Sequence, residues 1–319
     1  MSHHFLKASC QTVHLGGFSP QLEPALVVDS GDRVAVETYT GFHVCDQAPP
    51  EFLTPELLEI CQHLPTKRQV GEGPHLLTGP IYVRNAQPGD VLEVKLETIS
   101  ASLPMGFNLI RPGWGALPQQ FSEPRLRFIP LDLDKGIAEF PGGIHIPLQA
   151  FFGILGVATE ETNRSSIPPA SYGGNIDNRE LQAGSRIFLP IFVLGSLFSI
   201  GNGHAAQGDG EVNVTAIETS MNGTIELKLH KDWQFTTPIA ETPSDLITMG
   251  FGSTLDEAFE SALQQMIGWL ESFAGISEEQ AYALCSLAVN FRITQVVNYP
   301  QKGVHGLLPK SILPEAIAL

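Results

Sequence analysis

Residues 201–211 read GNGHAAQGDGE and follow directly on the apolar run IFLPIFVLGSLFSIG. Glycines at 201, 203, 208 and 210 let the backbone approach a ligand closely and leave short polar side chains uncovered. His204, Asp209 and Glu211 then offer one imidazole and two carboxylates, which are donors for Zn²⁺ and carriers of protons. Asp209 and Glu211 stand two apart, and on an extended segment they face the same way. A solvated acidic turn fits the same text; the buried run before it, with His204 and Gln207 alongside, puts a site on an equal footing with that reading. A second group lies in PPASYGGNIDNREL, residues 168–181. There Asp177 is a candidate metal ligand and Asn175 a candidate partner for a substrate amide, although Asx-rich turns also close hairpins without any further role. Two more histidines sit in turn-like settings, His14 in TVHLGGFSP and His75 in GPHLLTGP, and a lone histidine is more often a core or surface residue than a ligand. His145 alternates with Ile144 and Ile146 and reads as one face of a strand.

Several familiar chemistries lack their motifs. There is no HExxH, no GxSxG elbow, no GxGxxG after a strand and no GxxxxGK[ST], so zincin, α/β-hydrolase and nucleotide-binding sites have no footing. The four cysteines, Cys10, Cys45, Cys61 and Cys285, show no paired zinc spacing, and reduced thiols are the expectation.

The elements that must position these groups are mostly strands. The 31 glycines and 24 prolines are scattered between apolar runs, which implies many turns. ALVVDSGDRVAVETYTG (25–41) and IYVRNAQPGDVLEVKLETIS (81–100) look alike, each a strand, a Gly-Asp turn and an alternating strand; NRELQAGSRIFLPIFVLG (178–195) is a weaker copy. EFLTPELLEICQHLP has helical spacing and Pro55 near its start. Residues 101–123 read as a long ordered loop, with Phe107 and Trp114 available to wall a pocket. Asn222-Gly223 between alternating runs predicts a hairpin turn. After about residue 235 the texture becomes helical: 253–273 and 277–293 each open on a capping-box pattern. The fold class expected is α+β and β-rich: a β-sandwich or barrel-like N-terminal and central part, and a C-terminal helical pair packed on a sheet. One unit spans 1–319, with a β-rich part to about 235 and an α+β part over 236–319.

The formal charge, 18 − 34 = −16, argues against nucleic acid and anionic membranes as partners. The longest apolar stretch is broken by Pro190 and Gly195, and MSHHFLKASC lacks the apolar core of a secretory signal; a cytoplasmic protein is expected.

Over nearly its whole length the chain resembles the acetamidase/formamidase family of metal-associated amide hydrolases. The resemblance rests on TVHLGGFSP, PHLLTGPIYVRNAQPGDVLEV, FPGGIHIPLQAFFGILGVA, YGGNIDNREL, GNGHAAQGDGE followed by TAIET, and YALCSLAVNFRITQVVN. It implies hydrolysis of small linear amides to a carboxylate and ammonia, a divalent metal (Zn²⁺ or Ca²⁺), and homodimers or larger assemblies. The positions carried over are His75, Asn175, Asp177, His204, Asp209, Glu211 and His14. Asn202 and Asn290 stand where the family pattern implies aspartates, which opens the alternatives of another amide, a lactam, a carbamate, or a non-catalytic metal- or amide-binding protein. In the mechanism so implied, Asp177 and His204, with His75, Asp209 or His14, hold the metal. Glu211 shuttles the proton, and Asn175 or a backbone N–H stabilises the oxyanion. A metal-free amidase with a Glu or Cys nucleophile, for which Cys10 near His14 is the candidate, is the rival enzyme.

Overall fold

The structure is a computed structural model, and residues 1–314 are described. Alternating strands stack into two large sheets. The nine-stranded sheet runs, edge to edge, through His3–Leu6, Asp32–Thr38, Met221–His230, Val91–Ala101, Arg186–Pro190, Ile239–Glu241, Asp245–Gly252, Lys302–Pro309 and Asn290–Gln295. The eleven-stranded sheet centres on Phe198–Ala206, which pairs with Phe151–Gly156, Leu76–Val83 and Ile217–Glu218. Period-two burial explains the pairing: Asp32–Thr38 alternates between buried and half-buried positions, and its valines face the other sheet. Val34, Val36, Val94 and Ile225 from one sheet and Leu77, Phe152, Ile154 and Phe198 from the other share one core. The fold is thus strand-rich, with few helices, as the sequence implies.

The look-alike segments occupy equivalent places. Leu26–Val28 runs parallel to Leu76–Val83, and Asp32–Thr38 and Val91–Ala101 flank Met221–His230 on either side, both antiparallel to it. The weaker third copy differs, because Arg186–Pro190 runs antiparallel to Val91–Ala101.

Pro55–His63 is a helix capped by Thr54, whose hydroxyl accepts from the Leu57 amide. The C-terminal helices Leu255–Trp269 and Glu278–Ala288 each carry a full capping box, Thr254 with Glu257 and Ser277 with Gln280. The first lies so close on its sheet that a Cβ at Gly250 would fall 2.1 Å from the Ala258 carbonyl oxygen. Among the described residues no helix is long and apolar enough to cross a membrane.

Three expectations need correction. Asn222-Gly223 is no turn: both residues lie inside the ten-residue strand Met221–His230. Gly223 is there for close approach, since a Cβ would sit 2.9 Å from the Phe152 ring and the Thr98 carbonyl oxygen. Residues 101–123 are not all loop, because Met105–Ile110 forms a strand paired with Arg125–Asp132. Cys45 and Cys61 are joined as a disulfide between a 3₁₀ turn and the helix Pro55–His63, while Cys10 and Cys285 are free and buried.

Candidate active site

Three strands and one turn bring the polar groups together. Asn202 and His204, two apart on Phe198–Ala206, meet Glu218 across the sheet, where Glu218 is the register partner of His204. Asp177 follows the short strand Gly173–Asn175, and Glu211 lies in the turn after Ala206. Asp177, His204 and Glu211 are all buried, and one ligand atom of each lies within 4.8 Å of the others. The hollow exists because residue 153 lacks a side chain. A Cβ on Gly153 would fall 2.5 Å from both Asp177 Oδ1 and Asn202 Oδ1, and 3.0 Å from His204 Cε1.

The backbone is strained at this place. Asp177 (φ 47°), Asn202 (φ 54°), Glu211 (φ 45°) and Val214 (φ 99°) adopt left-handed conformations that side chains rarely take, and all four line one cavity. Its volume is about 430 Å³, with His75, Asn175, Glu218 and Trp114 also in its wall.

The hydrogen bonds fix each group. Nδ1 of His204 is 2.8 Å from Gln207 Oε1; Nε2 is 3.0 Å from Asn202 Oδ1 and 3.2 Å from Glu218 Oε1. Gln207 Nε2 donates to the Asp177 carbonyl at 2.8 Å, so one amide ties the histidine to the aspartate. Asn298 donates from Nδ2 to Asp177 Oδ2 and to the Asn175 carbonyl. Gly210 donates to the Thr294 carbonyl and accepts from Val296, so residues 294–298 clamp the Glu211 turn from the far end of the chain. Two carboxylate oxygens are left without partners although buried, Asp177 Oδ1 and Glu211 Oε2. Unsatisfied buried oxygens facing an imidazole suit a cation: three protein donors of mixed N and O type are a common catalytic metal set.

Electrostatics follow from packing three carboxylates and an imidazole out of water. Burial opposes charge on His204, yet Glu218 and then Asp177 outweigh it and raise its pKa to about 9. Burial raises Asp177 despite the countering His204 and Asn298. Glu211 is pushed well above the ordinary carboxylate range, by burial first and then by Asp177 and Glu218. Glu218 ends below its usual value because the contact with His204 overcomes burial.

The structure therefore gathers Asp177, His204, Glu211 and Asn175. His75 lines the same cavity but stands outside the three-residue cluster; Nδ1 is 2.8 Å from Ser166 Oγ, and burial chiefly lowers its pKa to about 4. Asp209 lies elsewhere, exposed and facing Arg179 at 3.8 Å. His14 is fully buried behind the strand, its Nε2 2.9 Å from Ser199 Oγ, and does not line the cavity. Cys10 packs among Phe52 and Ile60, with its thiol on the Glu59 carbonyl, so no Cys10–His14 pair faces the cavity. Trp114 is in the wall, whereas Phe107 is buried against Phe52. Of the two asparagines that the resemblance marks as departures, Asn202 is inside the cluster and Asn290 is exposed on the sheet edge. Glu218, Asn298 and Gly153 carry no sequence signal of their own; only the strand register and the C-terminal segment reveal them.

Comparison with known proteins gives one consistent neighbourhood. The sequence profile described as the acetamidase/formamidase family matches residues 155–315. A protein of Schizosaccharomyces pombe bearing a formamidase name is 28% identical over 67% of this chain, and the chain spans 63% of that relative's length. The formamidase of Methylophilus methylotrophus is 26% identical, covering 71% of this chain and 74% of its own. The crystal structure of a predicted acetamidase/formamidase from Thermoanaerobacter tengcongensis superposes with a TM-score of 0.84 at 29% identity, over 98% of this chain and 97% of that one.

Proposed function

Since the chain belongs to the acetamidase/formamidase family, we propose that it hydrolyses the C–N bond of linear amides, releasing a carboxylate and ammonia. The observation that carries this is the buried Asp177, His204 and Glu211 cluster, two of whose oxygens lack partners, in the wall of a cavity of about 430 Å³. Asp177 and His204 would hold a divalent cation, Zn²⁺ or Ca²⁺, with Glu211 beside it as the proton carrier. Bound there, the cation supplies Lewis acidity, polarising the carbonyl and lowering the pKa of water.

The protein's own groups divide the remaining work. Glu211, whose Oε2 is buried and unpartnered beside Asp177, would take a proton from the attacking water and pass it to the leaving nitrogen. Asn175 uses Nδ2 on the Ile167 carbonyl and has Oδ1 buried and unpartnered, so it accepts from the substrate N–H₂ rather than donating to the oxyanion. His75, neutral at pH 7, offers a hydrogen-bonding nitrogen without a competing charge. Gln207 and Asn298 hold His204 and Asp177 in orientation, the usual task of groups behind a metal ligand. A homodimer or larger assembly belongs to the same proposal, and light scattering tests it.

Ammonia release from an amide panel tests the chemistry, before and after chelation and in Glu211→Gln. The expected loss in the variant is on the order of 10²–10⁴-fold in kcat. Ammonia release indifferent to both chelation and this substitution would refute the mechanism.

A further inference from the structure

The cavity is much larger than the smallest amides. At roughly 30 Å³ per water-sized group, acetamide fills about 100 Å³ of the 430 Å³ available. Apart from the polar cluster, the wall is largely apolar: Leu76, Leu109, Ile167, Val214 and Val297 contribute, with Trp114. Trp114 is half-buried and held by Arg111, whose guanidinium carbon lies 4.5 Å from the indole centroid. This stacked pair presents a flat, stiffened surface of the kind that seats a ring. A two-carbon acyl group would leave most of that apolar wall against water, which forfeits the binding energy the wall can supply.

We propose that the preferred substrate is a primary amide whose acyl group is large and apolar, aryl or branched alkyl, seated against Trp114, Leu109 and Val297. The inference rests on the amide-hydrolysis reading and names its substrate class. The carboxamide meets Asn175 and the Asp177, His204 and Glu211 cluster, and the acyl group covers the apolar wall. Hydrolysis adds one water across the C–N bond, yielding the bulky carboxylate and ammonia.

The test compares kcat/KM of the intact, metal-loaded protein for formamide, acetamide and phenylacetamide. It is paired with calorimetric titration by the products acetate and phenylacetate. Phenylacetamide should exceed acetamide on the order of 100-fold, the scale expected for burying a ring in place of a methyl group. Leu109→Trp, which fills the apolar part, should cut that ratio at least about tenfold. Equal kcat/KM for acetamide and phenylacetamide overturns the inference and leaves the amidase intact. No ammonia from any amide, with phenylacetate still bound in preference to acetate, removes the amidase reading and supports the bulky apolar ligand.

Discussion

Replacing Gly153 by alanine probes the cluster with one methyl group. Gly153 lies on Phe151–Gly156 outside the left-handed region, so alanine fits the backbone and the effect is purely steric. The new Cβ would stand 2.5 Å from Asp177 Oδ1 and from Asn202 Oδ1. Ordinary contact needs about 3.5 Å, so each oxygen must withdraw by about 1 Å. Metal–oxygen bonds tolerate about 0.2 Å, and such a withdrawal removes Asp177 from any coordination sphere. The expected outcome is a cation affinity lowered by about 100-fold and a kcat/KM lowered by on the order of 10²-fold. The overpacking itself costs about 1–3 kcal/mol of stability, so the protein stays folded. Metal content after dialysis, ammonia release and urea denaturation together separate these effects. If Gly153→Ala keeps its metal and stays within about threefold of the parent kcat/KM, Asp177 Oδ1 does not hold the cation.

Asn298→Ala removes the amide that orients Asp177 and should lower metal affinity about 10–100-fold, read by competition with a chelating dye. Buried His305, on Thr294 Oγ1, has its pKa lowered to about 3, chiefly by burial. Its unfolded counterpart protonates near 6.5, so the stability it contributes is complete above that pH and drains away as pH falls toward 3. By linkage this amounts to about 2 kcal/mol between pH 7.5 and 5. His305→Gln should therefore lose about 2 kcal/mol less than the parent over that interval in urea titrations, and identical losses would contradict it. Thr254→Ala should cost about 1 kcal/mol through the lost cap on Leu255–Trp269, measured by thermal unfolding; no change would mean the capping box is idle.

How far the sequence announces this molecule depends on whether a residue's meaning is local. His204 and Glu211 were singled out by a glycine-rich turn after an apolar run and Asp177 by the Gly-Gly-Asn text before it, although each stretch also reads as an ordinary polar turn. The capping boxes were legible because each is completed within four residues. Glu218 was not, because its text is an ordinary alternating strand and its role comes from register with His204. Gly153 is equally silent inside FFGILG, where only the folded neighbours show that its missing Cβ is what leaves room. Asn222-Gly223 misled by offering hairpin chemistry that a long strand overrode: Gly223 is needed for the ring of Phe152 to pass. His14 and Asp209 show the reverse failure. Their residue types fit a metal, but strand direction turns one into the core and exposure turns the other toward Arg179.

The clamp by residues 294–298 has a consequence for biosynthesis. A nascent polypeptide halted just before Thr294 would already contain every acid, amide and imidazole of the cluster through Glu218. Yet it would lack the carbonyl that anchors Gly210 and the side chain that steadies Asp177. During translation the reactive centre therefore stays unfinished until residues 294–298 have been made and have docked.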